Sequence, residues 1–286
     1  MQSKSILIAD SGSTKTDWCF IKDNKRKKLV TQGINPYFLQ EKEIVTIFKS
    51  DLKIKEGTAI DEIHFYGAGI SSVDQQKVIE RALKTYFKAA KVYCHSDMLA
   101  SARACCLHSK GIVSILGTGS NTCYYDGKKI AFKTSALGYV LGDEGGGTHL
   151  GKKVLQYYLH EIFDQNLIKA FEKQFPYSKE EILVNLYKKP FPNRFLAQFT
   201  QFVFDHRGHY MIENIAEDCL NEIFINHLLR YPSVDKRVLH FTGSVAYFLQ
   251  DILENLCHQY ELQLGTIIQK PIDGLIQYHT IKKVGS

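Results

Sequence analysis

Apolar and polar positions divide the first hundred residues into short strands and amphipathic helices. Apolar runs that end in turn residues predict strands at residues 6–9, 17–21, 28–32, 63–66 and 92–95. Apolar residues at helical spacing predict helices at residues 41–52, 73–87 and 98–107. The chain therefore opens with three strands in succession and then alternates between helix and strand. This order predicts an α/β fold in which helices cover a mixed, mainly parallel sheet.

The stretch that begins at Gly111 repeats the design of the opening stretch. It consists of an apolar strand, a turn of Gly, Ser and Thr, a second strand, an Asp-Gly hairpin and a third strand. The turn sequence DSGST at residues 10–14 aligns with GTGSN at residues 117–121. The repeat predicts two related halves, with chance similarity as the alternative.

The second half is mainly helical. Its apolar periodicity predicts helices at residues 147–163, 179–187, 195–204, 212–229 and 246–260, and strands at residues 238–241 and 266–269. The stripe Phe195, Phe199, Phe202 and Val203 keeps helical spacing, so we expect it to lie in the core.

The length of the chain favours two lobes. No linker rich in Pro, Gly or Ser separates the halves, so we expect lobes at residues 1–110 and 111–286 that pack closely around one cleft. The extreme C-terminus could pack on the first lobe.

Composition and charge argue against nucleic-acid and membrane partners. The 286 residues are 44% hydrophobic and 23% charged, as in an ordinary soluble protein. The formal charge is +6, but the one dense basic cluster, KDNKRKK at residues 22–28, is typical of a solvated hairpin tip. The sequence has seven cysteines without a C-x-x-C pair and no membrane-length apolar run. We expect no signal peptide, because no apolar h-region precedes the first predicted strand. We therefore expect a cytoplasmic protein with reduced thiols.

The bend after the first strand has the composition of an anion-binding turn. It holds one carboxylate, one glycine and four hydroxyls, at Asp10, Gly12, Ser11, Ser13, Thr14 and Thr16. Gly12 allows the main chain to approach a phosphate, while amide groups and hydroxyls supply donors. Asp10 is suited to holding the waters of Mg2+. The spacing excludes a phosphate-loop NTPase, and a plain tight turn is the alternative.

Further carboxylates and an asparagine are predicted at the ends of strands. Asp97 follows the strand at residues 92–95, where it could act as a base or, like Ser96, cap the next helix. Asp143 and Glu144 lie between glycines before a helix, where either carboxylate could bind sugar hydroxyls or favour the helix dipole. Asn35 precedes a proline, where asparagine commonly makes a turn.

Several motifs of the sequence together resemble those of known protein families. ILIADSGSTKTDW and SILGTGSN resemble the two phosphate motifs of the actin-like ATPase superfamily, and VLHFTGSVA resembles its adenosine motif. GINPYF, HSDMLASARA, ILGTGSNT and LGDEGGG resemble the N-acetylglucosamine kinase branch of the BadF/BadG-type ATPase family. The resemblance implies a two-lobed, ribonuclease H-like fold with a mixed five-stranded sheet and flanking helices in each lobe.

The resemblance also implies an ATP-dependent kinase that phosphorylates an amino sugar. Its cofactors would be ATP and Mg2+, with Asp97 as the base and Asp10 as the residue that holds the metal through water. The implied nucleotide ligands are Gly12, Ser13, Thr14, Lys15, Thr118, Gly119, Gly243 and Ser244. The implied sugar ligands are Asn35, Gly69, Ser120, Asn121 and Asp143. A homodimer is expected on the same basis.

One departure from the family concerns the acceptor. Leu137 stands where this branch carries a tryptophan that packs against the sugar, so the aromatic platform is lost. A muramic-acid or other cell-wall sugar is therefore an alternative acceptor. A non-catalytic switch that binds ATP or sugar is the alternative from another functional class.

Overall fold

The computed structural model of the chain describes residues 4–12, 14–23, 25–70 and 72–281. The chain divides into two compact units. The first unit contains the described residues up to His108 together with those from Pro271 onward, and the second is Ser109–Lys270. Each unit is built around its own five-stranded sheet, so the expected α/β class is confirmed.

The sheet of the first unit combines antiparallel and parallel pairing. Its strands are β1 Ile6–Ser11, β2 Lys15–Lys22, β3 Lys25–Gln32, β4 Ala59–Gly67 and β5 Lys88–Ser96. They lie in the order β3-β2-β1-β4-β5, with β4 and β5 parallel to β1. Ser11, Gly67 and Ser96 are paired in register at the ends of the three parallel strands. The carboxyl ends of these strands therefore form one edge of the sheet.

Helices cover both faces of this sheet. They are α1 Glu41–Asp51, α2 Val73–Tyr86, α3 Asp97–Cys106 and α13 Ile272–Thr280. Helices α1 and α2 bury their apolar faces against the core around Trp18, whose ring makes edge contacts with Phe48 and Phe65. Helix α13 packs on α3 at Gly274, where a Cβ would overlap the backbone of Ala104.

A cluster of neutral histidines lies under α13 on the opposite face. Tyr66 Oη accepts a hydrogen bond from Arg103 Nη1 at 2.7 Å and lies 2.9 Å from His279 Nε2. The His279 ring packs on His64 with centroids 3.9 Å apart. Burial, helped by nearby positive charge, lowers the pKa of His279 to about 2 and that of His95 to about 4. The folded unit therefore keeps these imidazoles uncharged at neutral pH.

The second unit repeats the strand plan of the first. Its strands are β6 Gly111–Leu116, β7 Ser120–Tyr125, β8 Ile130–Lys133, β9 Val238–Thr242 and β10 Gln263–Ile268. They lie in the order β10-β9-β6-β7-β8, with β6 antiparallel to β7 and parallel to β9. The strand, turn and hairpin pattern predicted from Gly111 onward is therefore present.

The helices of the second unit surround a large apolar core. They are α4 Gly138–Leu141, α5 Gly147–Leu159, α6 Gln165–Gln174, α7 Lys179–Tyr187, α8 Pro192–Gln198, α9 Thr200–Asp205, α10 Tyr210–Asn226, α11 Ser244–Phe248 and α12 Gln250–Gln259. Phe199 and Phe202 are fully buried, which confirms their predicted place in the core. The single helix predicted at residues 195–204 is wrong, because α8 and α9 meet at Phe199. Within the described ranges, no helix combines the length and apolarity needed to cross a membrane.

Acid should weaken the first unit through its buried histidines. Because their pKa values are lower in the folded protein, their stabilising contribution is complete above about pH 6.5 and is lost as the pH falls. The free energy of unfolding of the wild type should decrease between about pH 7 and about pH 5. In His279→Gln we expect this decrease to be smaller by about 1–2 kcal/mol. The free energy of unfolding at each pH is measured by urea denaturation, followed by the fluorescence of Trp18, the single tryptophan of the sequence, which is fully buried.

The matched control is His258→Gln, at an exposed histidine on α12 of the second unit. This substitution should leave the pH dependence of the Trp18 signal unchanged. Superimposable pH profiles for the wild type and His279→Gln would contradict the role given to His279.

Candidate active site

The turn between β1 and β2 closes on itself and faces solvent. The Gly12 amide donates to the Lys15 carbonyl at 3.0 Å. Gly12, Thr14 and Lys15 are exposed, so the backbone of the turn is accessible to an anionic ligand. The Lys15 ammonium lies 3.9 Å from a carboxylate oxygen of Asp17. Ser13, also predicted to bind nucleotide, lies outside the described residues.

Two carboxylates lie beside this turn. Asp10 on β1 pairs directly with Asp17 on β2, and both residues are half-buried. Directly paired residues of antiparallel strands share a face, where like charges repel and a nearby cation, such as the Lys15 ammonium beside Asp17, reduces the repulsion. The sequence analysis predicts only Asp10 as a metal-binding carboxylate. The register of β1 and β2 adds Asp17 as a second candidate.

These oxygens fit Mg2+, which binds proteins through one or two carboxylates and completes its shell with water and phosphate. Among residues 4–12, 14–23, 25–70 and 72–281, no three His, Cys, Asp or Glu side chains form a group that could hold a metal ion. A site of two carboxylates therefore suits a metal that arrives with its phosphates.

The hydroxyls of Ser11 and Thr16 serve the fold. Both residues are buried, and their oxygens lie 2.7 Å apart. Ser11 Oγ also accepts from the amide of Ile34 and donates to its carbonyl, each at 3.0 Å. The expectation that all four hydroxyls of the bend add donors for phosphate is therefore wrong for these two. Their hydrogen bonds hold the segment before Asn35 against the end of β1.

Asn35 and Gly69, two predicted sugar ligands, lie against each other. Gly69 has a φ of +79°, and a Cβ there would overlap the Asn35 side-chain amide. Asn35 Oδ1 accepts the Tyr37 amide at 2.9 Å, so the residue does make the turn that its position before Pro36 favours. The Tyr37 ring beside it is 63% exposed. Sugar binding by Asn35 and Gly69 stays a prediction.

Asp97 is the first residue of α3, directly after β5. Ser96 caps the helix, because Ser96 Oγ accepts from the Leu99 amide at 3.3 Å. Asp97 Oδ1 accepts from the Met98 amide at 2.7 Å, and the residue is half-buried. The carboxylate of Asp97 is thus held at the carboxyl edge of the sheet, beyond the row formed by the strand ends.

In the second unit, the turn after β6 is docked on the start of α5. The Gly147 amide donates to the Gly117 carbonyl at 2.8 Å, and the Thr148 amide donates to the Thr118 carbonyl at 2.7 Å. The first amide groups of α5 are therefore satisfied by the backbone of the predicted phosphate turn. Thr118 is exposed and Gly119 is half-buried, so the outer side of the turn remains accessible.

Asp143 ties these two segments together with its side chain. Its Oδ1 accepts from the Ser120 amide at 3.3 Å, and its Oδ2 accepts from the Thr148 hydroxyl at 3.1 Å. Its φ of 62° is unusual for a residue with a side chain, so the turn is strained there. Burial raises the pKa of Asp143, although both hydrogen bonds oppose this. A carboxylate has about four acceptor positions, so a sugar hydroxyl can still donate to it.

The predicted adenosine motif meets the same edge of the sheet. Gly243 has a φ of 111°, and a Cβ there would overlap the carbonyl of Leu116 at the end of β6. The Gly243 amide donates to the Ile268 carbonyl at 3.0 Å. Ser244 begins α11 and is exposed. Because β6 and β9 are parallel, Gly243 and the phosphate turn lie side by side.

A narrow crevice beside Asp143 contains a residue that sequence reasoning missed, His227. The crevice is also lined by Asn121, Leu137 and Glu144, which the sequence analysis names. The side-chain oxygen of Asn121 is buried and accepts no hydrogen bond from the part of the chain described here. His227 has no sequence signal, because it is separated from Glu144 by 83 positions and joins the site only through the fold.

The sequence matches no protein-family profile and no curated protein. Among solved structures, the putative N-acetylglucosamine kinase of Porphyromonas gingivalis has 37% sequence identity and a TM-score of 0.88. The match covers 96% of this chain and 98% of that protein. The chain belongs to the N-acetylglucosamine kinase branch of the BadF/BadG-type ATPase family.

More distant structures share the fold of this family member. The putative N-acetylglucosamine kinase of Chromobacterium violaceum is 13% identical with a TM-score of 0.74, covering 96% of this chain and 98% of its own. The ROK family glucokinase of Streptomyces griseus, in complex with glucose and AMPPNP, is 12% identical with a TM-score of 0.55, covering 98% and 100%. The predicted actin-like ATPase fold is confirmed. Leu137, which the sequence analysis relates to the acceptor, is 56% exposed.

Gly146→Ala should destabilise the second unit of this family member. Its Cβ would lie 2.6 Å from the carbonyl carbon of Gly119, in a place where backbone faces backbone. Relief would require the two segments to separate and the amides of Gly147 and Thr148 to lose their acceptors. We expect the free energy of unfolding to fall by about 2 kcal/mol or more, measured by thermal unfolding with circular dichroism.

Gly117→Ala is the matched control in the same turn, because a Cβ there would meet nothing within 4 Å. Its stability should stay within about 0.5 kcal/mol of the wild type. If Gly146→Ala unfolds at the same temperature as the wild type, the turn after β6 and the start of α5 do not pack as described.

Proposed function

We propose that the protein is a kinase that transfers the γ-phosphoryl group of Mg-ATP to a hydroxyl of an amino sugar resembling N-acetylglucosamine. One observation carries the proposal: Asp97 lies on the same sheet edge as Asp10 and the exposed turn that follows it. A base, a metal-binding carboxylate and a phosphate-binding turn are the parts that phosphoryl transfer to an alcohol requires. Membership of the kinase branch supports the same conclusion.

Asp97 is the proposed base. Its carboxylate accepts the proton of the acceptor hydroxyl as the hydroxyl oxygen attacks the γ-phosphorus. The hydrogen bond from the Met98 amide holds one carboxylate oxygen, so the orientation of the group is set before substrate binds.

The remaining nucleotide contacts are assigned to the two glycine turns and the adenosine motif. Asp10 would hold Mg2+ through water, with Asp17 beside it, and the ion would supply positive charge to neutralise the phosphate oxygens. The proposed ligands of ATP are Gly12, Ser13, Thr14, Lys15, Thr118, Gly119, Gly243 and Ser244.

The acceptor is assigned to polar groups at the two sheet edges. The proposed sugar ligands are Asn35, Gly69, Ser120, Asn121 and Asp143. The exposed Leu137 favours a second candidate acceptor, a bulkier muramic-acid or other cell-wall sugar, because a leucine occupies less space than the family tryptophan. We expect the enzyme to act in the cytoplasm as a homodimer.

Asp97→Asn should abolish sugar-dependent turnover. The amide keeps the shape of the side chain but cannot take the proton, so kcat should fall by about 100-fold or more. The measurement is ADP release over a panel containing N-acetylglucosamine, N-acetylmuramic acid, glucosamine and glucose, for the wild type and the variant.

Asp74→Asn is the matched control, because Asp74 occupies the first turn of α2 as Asp97 occupies that of α3. It should keep the wild-type rate. A preference for N-acetylmuramic acid would support the second acceptor. Nucleotide binding without turnover on any sugar would contradict the kinase and favour a non-catalytic switch.

A further inference from the structure

A chain of five hydrogen-bonded side chains runs behind the crevice of the second unit. Tyr231 Oη lies 2.9 Å from Thr122 Oγ1, which lies 2.6 Å from Thr134 Oγ1. Thr134 Oγ1 lies 3.0 Å from His227 Nδ1, and His227 Nε2 lies 3.0 Å from Glu144 Oε2. Tyr231 and Thr122 are buried, and the side chains of His227 and Glu144 are only 15% and 16% exposed.

The carboxylate at one end of the chain determines the role of His227 Nε2. Burial alone would raise the pKa of Glu144, but hydrogen bonds to its own amide and to His227 hold that pKa below its usual value. An ionised carboxylate only accepts, so His227 donates from Nε2. His227 Nδ1 and the Thr134 hydroxyl share the next hydrogen bond, and the two remaining contacts join hydroxyl groups that can each donate or accept. Each of the five side chains therefore has a partner within hydrogen-bond distance.

The chain joins the two walls of the crevice. Glu144 directly follows Asp143 in the strained turn, and Thr122 directly follows Asn121 on β7. His227, at the end of α10, holds both walls from behind through its two ring nitrogens. A displaced His227 would remove one link between the turn of Asp143 and the strand of Asn121, while the hydrogen bond from the Ser120 amide to Asp143 would remain.

We propose that His227 is a positioning residue for the acceptor, which it aligns through Glu144 and Thr134. The assignment of the aligned ligands to a sugar rests on the proposed function. None of the five side chains of the hydrogen-bonded chain is assigned to the nucleotide, although the neighbouring Asp143 turn packs against Gly119. Loss of the chain should therefore affect the acceptor more strongly than the nucleotide.

Kinetics of His227→Gln and Thr134→Val test the proposal. Thr134→Val keeps the shape of the side chain and removes only the central hydroxyl. For the most active sugar, we expect kcat/KM to fall by about tenfold in His227→Gln and by about fivefold in Thr134→Val. The KM for ATP should stay within about twofold of the wild type. An equal rise in the KM for ATP, or unchanged sugar kinetics, would overturn the proposal.

Two variants control for general effects of substitution. Thr134→Ser retains the hydroxyl and should restore kcat/KM for the sugar. Thr266→Val makes the same threonine substitution at an exposed position on β10 and should behave as the wild type. Loss of sugar kinetics in Thr266→Val would assign the effect to stability and overturn the proposal.

Hydrogen exchange provides a readout that does not depend on catalysis. The amides of Gly145 and Gly146 donate within the Asp143 turn, to His149 Nδ1 and to the Asp143 carbonyl. Their exchange should accelerate by about fivefold or more in Thr134→Val and His227→Gln, and not in Thr134→Ser. If the wild type phosphorylates no sugar, the proposed function fails, while exchange still decides the positioning role. Unchanged exchange in His227→Gln would overturn that role.

Discussion

Parallel pairing of a central strand with its neighbour is the constraint on which the candidate site depends. In the first unit β1 pairs with β4, and in the second β6 pairs with β9. Parallel strands end at the same edge, so polar turns that are far apart in sequence become neighbours there. Gly243 shows what this proximity requires, because a side chain at that position would overlap the end of β6. The glycines of these turns are therefore needed for packing whether or not a phosphate is bound.

Many polar groups at these edges already hold the fold together. The Ser11 hydroxyl is hydrogen-bonded to Thr16 and to the backbone of Ile34. Asp143 accepts hydrogen bonds from the Ser120 amide and the Thr148 hydroxyl. Such bonds orient the side chains before any ligand arrives, which lowers the entropic cost of binding. Structural and functional roles are thus combined in the same residues, and Asp143 illustrates this most clearly.

Local patterns were sufficient to predict the strands and several helices. The helices predicted at residues 41–52 and 73–87 are α1 and α2 to within one residue, because apolar spacing and capping residues such as Ser72 act locally. The helix predicted at residues 195–204 fails for a tertiary reason. The Thr200 hydroxyl donates to the Gly147 carbonyl at the start of α5, and the chain bends at Phe199 between α8 and α9.

Residues of the candidate site could be predicted where they belong to a recognisable turn motif. They were harder to predict where the fold brings together residues that are distant in the sequence. Asp10 lies near the end of a strand, and Asp97 and Asp143 precede helices, so their positions could be inferred. Asp17 required the strand register, and His227 required the three-dimensional contact with Glu144. Helix α6 was missed although Asp164 caps it by accepting two backbone amides.

The docking of α13 on the first unit has a consequence for synthesis of the protein. The first unit needs residues 272–280 to cover Tyr66 and His64, although its sheet is translated first. Ser109–Lys270, by contrast, form one uninterrupted segment. On the ribosome, the second unit can therefore finish folding while the first still exposes the part of its sheet that α13 covers, so the unit whose synthesis begins first is completed last.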